Sequence, residues 1–210
     1  MARPNIGFAS AAFLFLNIAA GVAGASAAES GPYLGISAGT ATVDAGTHAQ
    51  NQVDDLVASG FSSATVSLDR KSTGFKFLGG YQVNKNYAVE GFYADLGTYN
   101  FTLATTGPFR TGTGDARVSA YGVDLLGMFP INQSLDVFGR FGMYRRDAKS
   151  SFVTSDTSFG SVPSISTNAK FGLGVDWNVT AAVALRSEWE YYDDKDAPIT
   201  KLSVGIVSRF

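Results

Sequence analysis

Nine charged residues stand at alternating positions inside otherwise apolar or glycine-rich stretches: Lys76, Glu90, Asp124, Arg140, Lys170, Asp176, Arg186, Glu188 and Glu190. Charges in such surroundings are costly unless paired, so the chemistry they point to first is ion pairing. Hydrolytic chemistry is poorly served. A nucleophile needs a base beside it, most often a His oriented by a carboxylate. The chain has one His, His48 in Thr47-His48-Ala49-Gln50, and no Cys. A lone His in a polar stretch reads as a solvated side chain. With no second His and no Cys, no transition-metal ligand set is expected either. Asp54-Asp55 lacks the spaced oxygen ligands of a calcium loop. Asp193-Asp194-Lys195-Asp196 reads as a solvated loop tip. The residues therefore predict no catalytic group, no metal and no cofactor.

Positioning alternate charges against alternate apolar residues takes strands, because successive side chains of a strand point to opposite faces. Eight such segments are predicted: Tyr33–Thr42, Gly74–Val83, Tyr87–Leu96, Arg117–Phe129, Leu135–Arg145, Asn168–Trp177, Val183–Tyr192 and Lys201–Phe210. Three connections are tight: Asn84-Lys85-Asn86, Ile131-Asn132-Gln133-Ser134, and Asn178 to Ala182. The others, about 43–73, 97–116, 146–167 and 193–200, are long and polar. Strict alternation of short and long connections is the signature of an up-and-down transmembrane barrel. A soluble eight-stranded barrel of the lipocalin kind has no reason to alternate so regularly.

The two faces differ in kind. Leu202, Val204, Ile206 and Phe210 oppose Lys201, Ser203, Gly205 and Arg209. Val183, Leu185, Trp189 and Tyr191 oppose Ala184, Arg186, Glu188 and Glu190. Phe171, Leu173, Val175 and Trp177 oppose Lys170, Gly172, Gly174 and Asp176. Pointing every apolar face inward would overfill an eight-stranded interior, so the apolar faces are expected outward, toward lipid. Aromatic residues fall near the predicted strand ends: Tyr81, Tyr87, Phe129, Trp177 and Phe210 on the tight-turn side, and Tyr93, Tyr121, Trp189 and Tyr191 on the other. Two interfacial belts follow. Symmetric turns would set Asp124 opposite Arg140, Lys170 opposite Glu190, and Lys76 diagonal to Glu90. A one-residue slip would turn all of them into lipid. The inward charges form either a plug of ion pairs or a narrow gated pore. The small diameter of an eight-stranded lumen favours the plug.

Composition agrees. In 210 residues, hydrophobic residues make up 45% and charged residues 16%, with a net charge of -2. Nothing there suggests a nucleic-acid partner. After residue 28 no apolar run reaches the roughly 20 residues of a membrane helix. With no disulfides available, closing the sheet on itself is a way to stabilise it without leaving an edge. The first 27 residues read as a cleaved export signal. Met1-Ala2-Arg3 is positive, Ile6 to Ala25 is apolar, and Ala25-Ser26-Ala27 offers small residues for cleavage after Ala27, with Ala28 as the second choice. Residues 28–210 are expected to form one barrel domain.

Several ordered segments resemble a known family. They are Tyr33-Leu34-Gly35-Ile36-Ser37-Ala38-Gly39, Gly79-Gly80-Tyr81-Gln82-Val83, Ala88-Val89-Glu90-Gly91-Phe92-Tyr93, Tyr121-Gly122-Val123-Asp124, and Leu202 through Phe210. Together they look like the OmpA-like transmembrane domain and the related opacity-type surface porins. The resemblance implies an all-β, eight-stranded antiparallel barrel in the bacterial outer membrane, with both termini in the periplasm. It implies outer-membrane lipids as surroundings and the barrel assembly machinery as a partner. That machinery would recognise the C-terminal strand at Phe210. It also implies an interior cluster of Glu, Lys and Arg, a part that Glu90, Asp124, Arg140, Lys170, Arg186, Glu188 and Glu190 would take here. Larger members carry a periplasmic peptidoglycan-binding domain after the barrel. Since this sequence stops at Phe210, no such domain is expected. Some small outer-membrane barrels are lipid A deacylases, palmitoyltransferases or proteases, but His48 is not on a lipid-facing strand beside a Ser. The expected role is a non-enzymatic structural or adhesion-type surface barrel. A low-conductance porin is the alternative, and a lipid A-modifying enzyme is less favoured. The loops show no motif that names a ligand.

Overall fold

The structure, a computed structural model, describes residues 30–44, 64–105, 112–154, 158–195 and 197–210. The expected export signal, His48, Asp54-Asp55 and Asp196 lie outside the described residues. The described part is all β: β1 (Gly31–Val43), β2 (Ala64–Leu68), β3 (Lys71–Asn84), β4 (Tyr87–Thr105), β5 (Gly112–Asn132), β6 (Leu135–Thr154), β7 (Ser158–Asn178), β8 (Val183–Tyr192) and β9 (Ile199–Arg209). Eight of these strands, β1 and β3 to β9, pair antiparallel in an unbroken circuit. The first and last strands meet from Tyr33↔Arg209 to Val43↔Ile199. This is the closed eight-stranded barrel that the alternation predicts.

Each tight turn is fixed by a side-chain oxygen accepting from backbone N–H groups, as Asn, Thr and Ser do in turns. Asn84 Oδ1 accepts from the amides of Asn86 and Tyr87 at 2.8 and 3.0 Å. Asn132 Oδ1 accepts from Ser134 at 2.8 Å. Thr180 Oγ1 accepts from Ala182 and Val183 at 3.2 and 3.0 Å. The register of the whole barrel can be followed along one hydrogen-bonded row: Gln82, Ala88, Leu126, Arg140, Gly172, Glu190, Lys201, Ala41, and back to β3 at Ser72. One circuit thus climbs from residue 82 to residue 72 of the same strand. That stagger tilts the strands by about 35–45° to the barrel axis.

Two expectations are corrected. Two of the long connections, 97–116 and 146–167, are mostly strand: β4 runs to Thr105, β5 starts at Gly112, β6 runs to Thr154 and β7 starts at Ser158. Above the lipid both faces of these hairpins meet water. The apolar–polar alternation that marks a strand in sequence therefore fades while backbone pairing continues. The connection 43–73 likewise contains β2, which pairs with the outer end of β4 from Leu68↔Phe101 to Ala64↔Thr105. The exchange of β3 for β2 beside β4 happens at a bulge between Asp95 and Gly97. Gly97 has φ +96, and a Cβ there would lie 2.1 Å from Ser72 Oγ. Its amide is held by Asp95 Oδ1 at 2.9 Å. Only glycine suits that position.

Outward positions carry Leu34, Phe77, Val123, Leu125, Phe141, Leu173 and Val204, all exposed. Val204 is 68% exposed, an orientation that makes sense against lipid and not against water. Tyr81, Tyr87, Phe129 and Trp177 mark one rim of this band, and Tyr93, Tyr121, Trp189 and Tyr191 the other. Inside, the buried residues sort into three layers along the axis once the stagger is allowed for. Tyr33, Ala88, Leu126, Met128, Phe138 and Val207 form an apolar floor at the tight-turn end. Ala41, Val43, Leu96, Val118, Tyr144, Tyr192 and Ile199 form an apolar roof at the other end. Most of the charged residues lie between them.

Candidate functional site

All nine charges singled out from sequence point into the barrel and are buried: Lys76, Glu90, Asp124, Lys170, Asp176 and Glu190 at 0% exposure, Arg140, Arg186 and Glu188 at 4% or less. Period-two alternation puts them there, and small neighbours leave them room. Gly142, Gly172 and Gly174 are the cross-strand partners of Asp124, Arg140 and Glu190, and Glu188, and a Cβ on any of the three would meet a neighbouring atom at 2.5 Å or less.

The ion pairs form one connected network. Lys76 Nζ donates to Glu188 Oε2 at 2.5 Å and Glu190 Oε1 at 2.9 Å. Arg140 reaches four carboxylates: Asp124 at 3.0 Å, Glu90 at 3.1 Å, Glu190 at 3.4 Å, and Glu188. Lys170 bridges Glu190 at 2.8 Å and Asp124 at 3.0 Å. It also sits 3.6 Å from the centre of the Phe92 ring, where a desolvated ammonium gains from the aromatic face. Arg186 holds Asp176 with two nitrogens, at 2.7 and 2.8 Å, and donates to Glu90 at 2.5 Å. Fork-to-carboxylate geometry of this kind is the strong form of the interaction.

The pairing differs in detail from the symmetric-turn expectation. Arg140 is paired in register with Leu126, and Asp124 with Gly142, so Asp124 and Arg140 meet diagonally. The turn is centred between Asn132 and Leu135, with a one-residue shift between Pro130 and Asn132, so the partner of Asp124 lies two residues beyond Arg140. Lys170 stands opposite Tyr192 and Glu190 opposite Gly172, again a diagonal meeting. Lys76 is paired with Ala94 and Glu90 with Gly80, four positions apart, so those two are not diagonal neighbours. Lys76 spans the lumen to β8 instead. Tilted strands in a narrow barrel bring distant walls within reach of a long side chain, which hairpin symmetry does not reveal.

The network has members outside the nine. Tyr33 donates to Glu90 Oε1 at 2.9 Å. Lys201 lies 3.6 Å from Glu190 Oε2. Arg209 reaches Asp176 at 3.3 Å and Asn178 at 2.7 Å. Lys201 and Arg209 sit on the inward face that alternation assigns to the last strand, so the signal was present. Counting Arg209, six cations (Lys76, Arg140, Lys170, Arg186, Lys201, Arg209) meet five carboxylates (Glu90, Asp124, Asp176, Glu188, Glu190). Nearer the outer mouth, Arg146 of β6 pairs with Asp194 at 2.6 Å. Asp194 is buried, which corrects its reading as a solvated tip. Above the bulge, Asp95 accepts from Arg117 at 2.6 Å and pushes the pKa of that guanidinium further up. Burial likewise pushes up the Tyr99 phenol, which stays protonated and donates to the Leu96 carbonyl at 3.0 Å.

Phe210 follows β9 with its ring exposed and its amide donating to Pro32 O at 3.1 Å. It extends the β1–β9 seam by one bond.

Residues 27–210 match the family model of the OmpA-like transmembrane domain. Outer membrane protein A of Klebsiella pneumoniae is 29% identical over 163 residues, which cover 72% of this chain and 45% of that protein. The chain therefore spans less than half the length of that relative. Among solved structures, the attachment invasion locus protein Ail of Yersinia pestis superposes with a TM-score of 0.54 at 18% identity, covering 86% of this chain and 99% of that one. OprG of Pseudomonas aeruginosa gives 0.52 at 14% identity, covering 86% and 97%. Neisserial surface protein A gives 0.50 at 15%, covering 85% and 97%. At such identities the shared property is the fold.

Proposed function

We propose, starting from the fact that this chain belongs to the OmpA-like transmembrane domain family and is a bacterial outer-membrane β-barrel, that its role is structural and non-enzymatic. In this reading the lumen is closed by its own side chains. The barrel anchors the outer hairpins of β4 to β7 above the membrane, where an adhesion-type contact would be made.

One observation carries the closed lumen. The ionic layer lies between an apolar floor and an apolar roof, and its side chains are almost wholly buried. An eight-stranded interior is just wide enough for side chains to fill. A hydrated ion entering past Leu96 and Ile199 must shed water between buried side chains, and the charged groups near the outer mouth, Arg146 and Asp194, already hold each other. The test is single-channel recording of the folded protein in planar bilayers. The reading expects a silent baseline over most of the record, and steady conductance at all voltages would sink it.

A second reading, a low-conductance pore, has its own support. Arg140 lies within 3.4 Å of four carboxylates, so it can exchange partners without ever becoming unpaired. Brief openings made more frequent by Arg140→Ala would favour this reading.

The remaining assignments belong to the same proposal. Phe210 and the strand before it serve as the segment recognised during outer-membrane assembly. Residues 1–27 are removed on export, which the mass of the mature N-terminal peptide would check.

A further inference from the structure

We propose that the lipid face around the β3–β4 hairpin binds one two-chained anionic phospholipid, with its phosphate on Lys85 and its acyl chains in the clefts on either side of Val89. The site goes beyond the structural reading and stands whether or not the lumen conducts.

Two shallow apolar clefts flank this hairpin on the outside of the barrel. The first, about 530 Å³, is lined by Leu34, Gly79, Tyr81, Val89, Gly91 and Phe210. The second, about 240 Å³, is lined by Val83, Tyr87, Val89, Leu125 and Gly127. Val89 lines both, so a single side chain stands between them. Glycine hollows each cleft. Gly91 is paired with Gly79, and it alternates along β4 with exposed Val89 and Tyr93. Gly127 is paired with Gly139, and it alternates along β5 with exposed Leu125 and Phe129. Packing within the protein does not call for either glycine. A Cβ on Gly91 would meet no atom nearer than 3.9 Å, and one on Gly127 none within 4 Å. On the inward face, by contrast, a Cβ on Gly142 or Gly205 would strike a neighbouring carbonyl oxygen at 2.3 Å. A glycine in mid-strand weakens the strand, and its use often marks the close approach of another molecule.

Charge and place name the occupant. Asp136, Asp176 and Arg209, near the other tight turns, are tied to one another or to Asn178. Lys85 is exposed and holds no ion pair among the described residues. Its turn is firmly held. Asn84 Oδ1 accepts from the amides of Asn86 and Tyr87. Asn86 Nδ2 donates to the Met128 carbonyl at 3.1 Å, and the Asn86 carbonyl accepts from the Met128 amide at 2.7 Å. Both asparagine side chains are thereby used, and the Lys85 ammonium is left for a headgroup. Tyr81 stands in one cleft and Tyr87 in the other, at the rim where aromatic rings meet headgroups. Two apolar channels below one cation match a lipid with two chains and one phosphate. A single-chain amphiphile would fill one cleft only, and a zwitterionic headgroup would set its own ammonium against Lys85. The natural source is the phospholipid of the periplasmic leaflet, which rests on the tight turns facing the periplasm. The test below uses symmetric bilayers and does not depend on that orientation.

Native mass spectrometry of the folded protein, released from nanodiscs of phosphatidylcholine and phosphatidylglycerol in equal amounts, identifies the lipid it keeps. The wild-type barrel is expected to keep phosphatidylglycerol about fivefold over phosphatidylcholine, the preference that one basic residue beside an anionic headgroup confers. Lys85→Gln should abolish the preference while lipid is still retained. Gly91→Val combined with Gly127→Val should fill the clefts and abolish retention of either lipid, with heat-sensitive gel mobility showing that the barrel has closed. The proposal is overturned if the wild type keeps both lipids equally, if Lys85→Gln keeps the preference, or if the glycine variant retains lipid as the wild type does. A lipid-free dimer joined through this face overturns it as well, and makes a second copy of the chain the occupant. Should the glycine variant fail to fold, the wild type and Lys85→Gln decide alone.

Discussion

At the scale of single residues, Arg140 is the hub of the ionic layer. Removing it leaves four buried carboxylates short of a partner, and breaking a buried pair in this way costs roughly 3–5 kcal/mol. Arg140→Ala should accordingly lower the urea midpoint of unfolding in detergent or vesicles. Combining it with Asp124→Ala should restore only part of the loss, because Glu90, Glu188 and Glu190 still face the gap. Full recovery would mean that Asp124 is Arg140's one energetic partner. The inward placement of all nine charges was legible from alternation alone, since period two assigns faces without any knowledge of register. Their partners were not. A partner depends on turn length to the residue, and on stagger, which is a property of the closed barrel and is written in no single hairpin. Lys76, sent across the lumen to β8 and not to the neighbouring strand, shows the limit most clearly.

At the scale of elements, the bulge at Gly97 divides the part of β4 that faces lipid from the part that rises above it. Gly97→Ala forces a Cβ onto a left-handed backbone and against Ser72 Oγ. A cost of about 1–3 kcal/mol is expected for such a residue. Because the clash lies above the membrane band, the loss should show as faster proteolysis of the outer hairpins. The barrel below should still fold and keep its heat-sensitive gel mobility. Protease-resistant hairpins in the variant would show that the bulge relaxes freely. Strand positions within the lipid band could be read within a few residues because one side faces hydrocarbon and the other does not. Val183–Tyr192 came out with its predicted bounds. The outer halves of β5, β6 and β7 could not be read so. Arg117, Lys149 and Ser164 are exposed on strands whose other face carries no sustained apolar stripe, so nothing in their spacing separates strand from loop.

At the scale of the whole molecule, the barrel has no open edge within the lipid band, and detergent gains little purchase on it until heat breaks the circuit. Unboiled protein should migrate differently from boiled protein on a denaturing gel, with β-type circular dichroism in the unboiled state. Identical migration with a helical spectrum is incompatible with the fold described. Deleting Phe210 should lower the amount of protein in the outer membrane and raise it in the periplasm; unchanged levels at native expression would reduce Phe210 to a packing residue. The seam between β1 and β9 also bears on the order of events during biogenesis. It joins the two strands of the barrel farthest apart in sequence, from Tyr33 with Arg209 to Val43 with Ile199. Arg186, Glu188 and Glu190 arrive late, on β8, yet their partners Lys76, Glu90 and Arg140 arrived early on β3, β4 and β6. A sheet that has not yet curled shut keeps Arg186 with Asp176 and Glu190 with Lys170 on the neighbouring strand, but it holds Lys76 and Glu90 apart from Glu188 and Arg186, and unpaired charge is costly to carry into hydrocarbon. Full pairing of the ionic layer therefore comes only with ring closure, so a chain short of that step still carries unpaired charge and a chain past it does not.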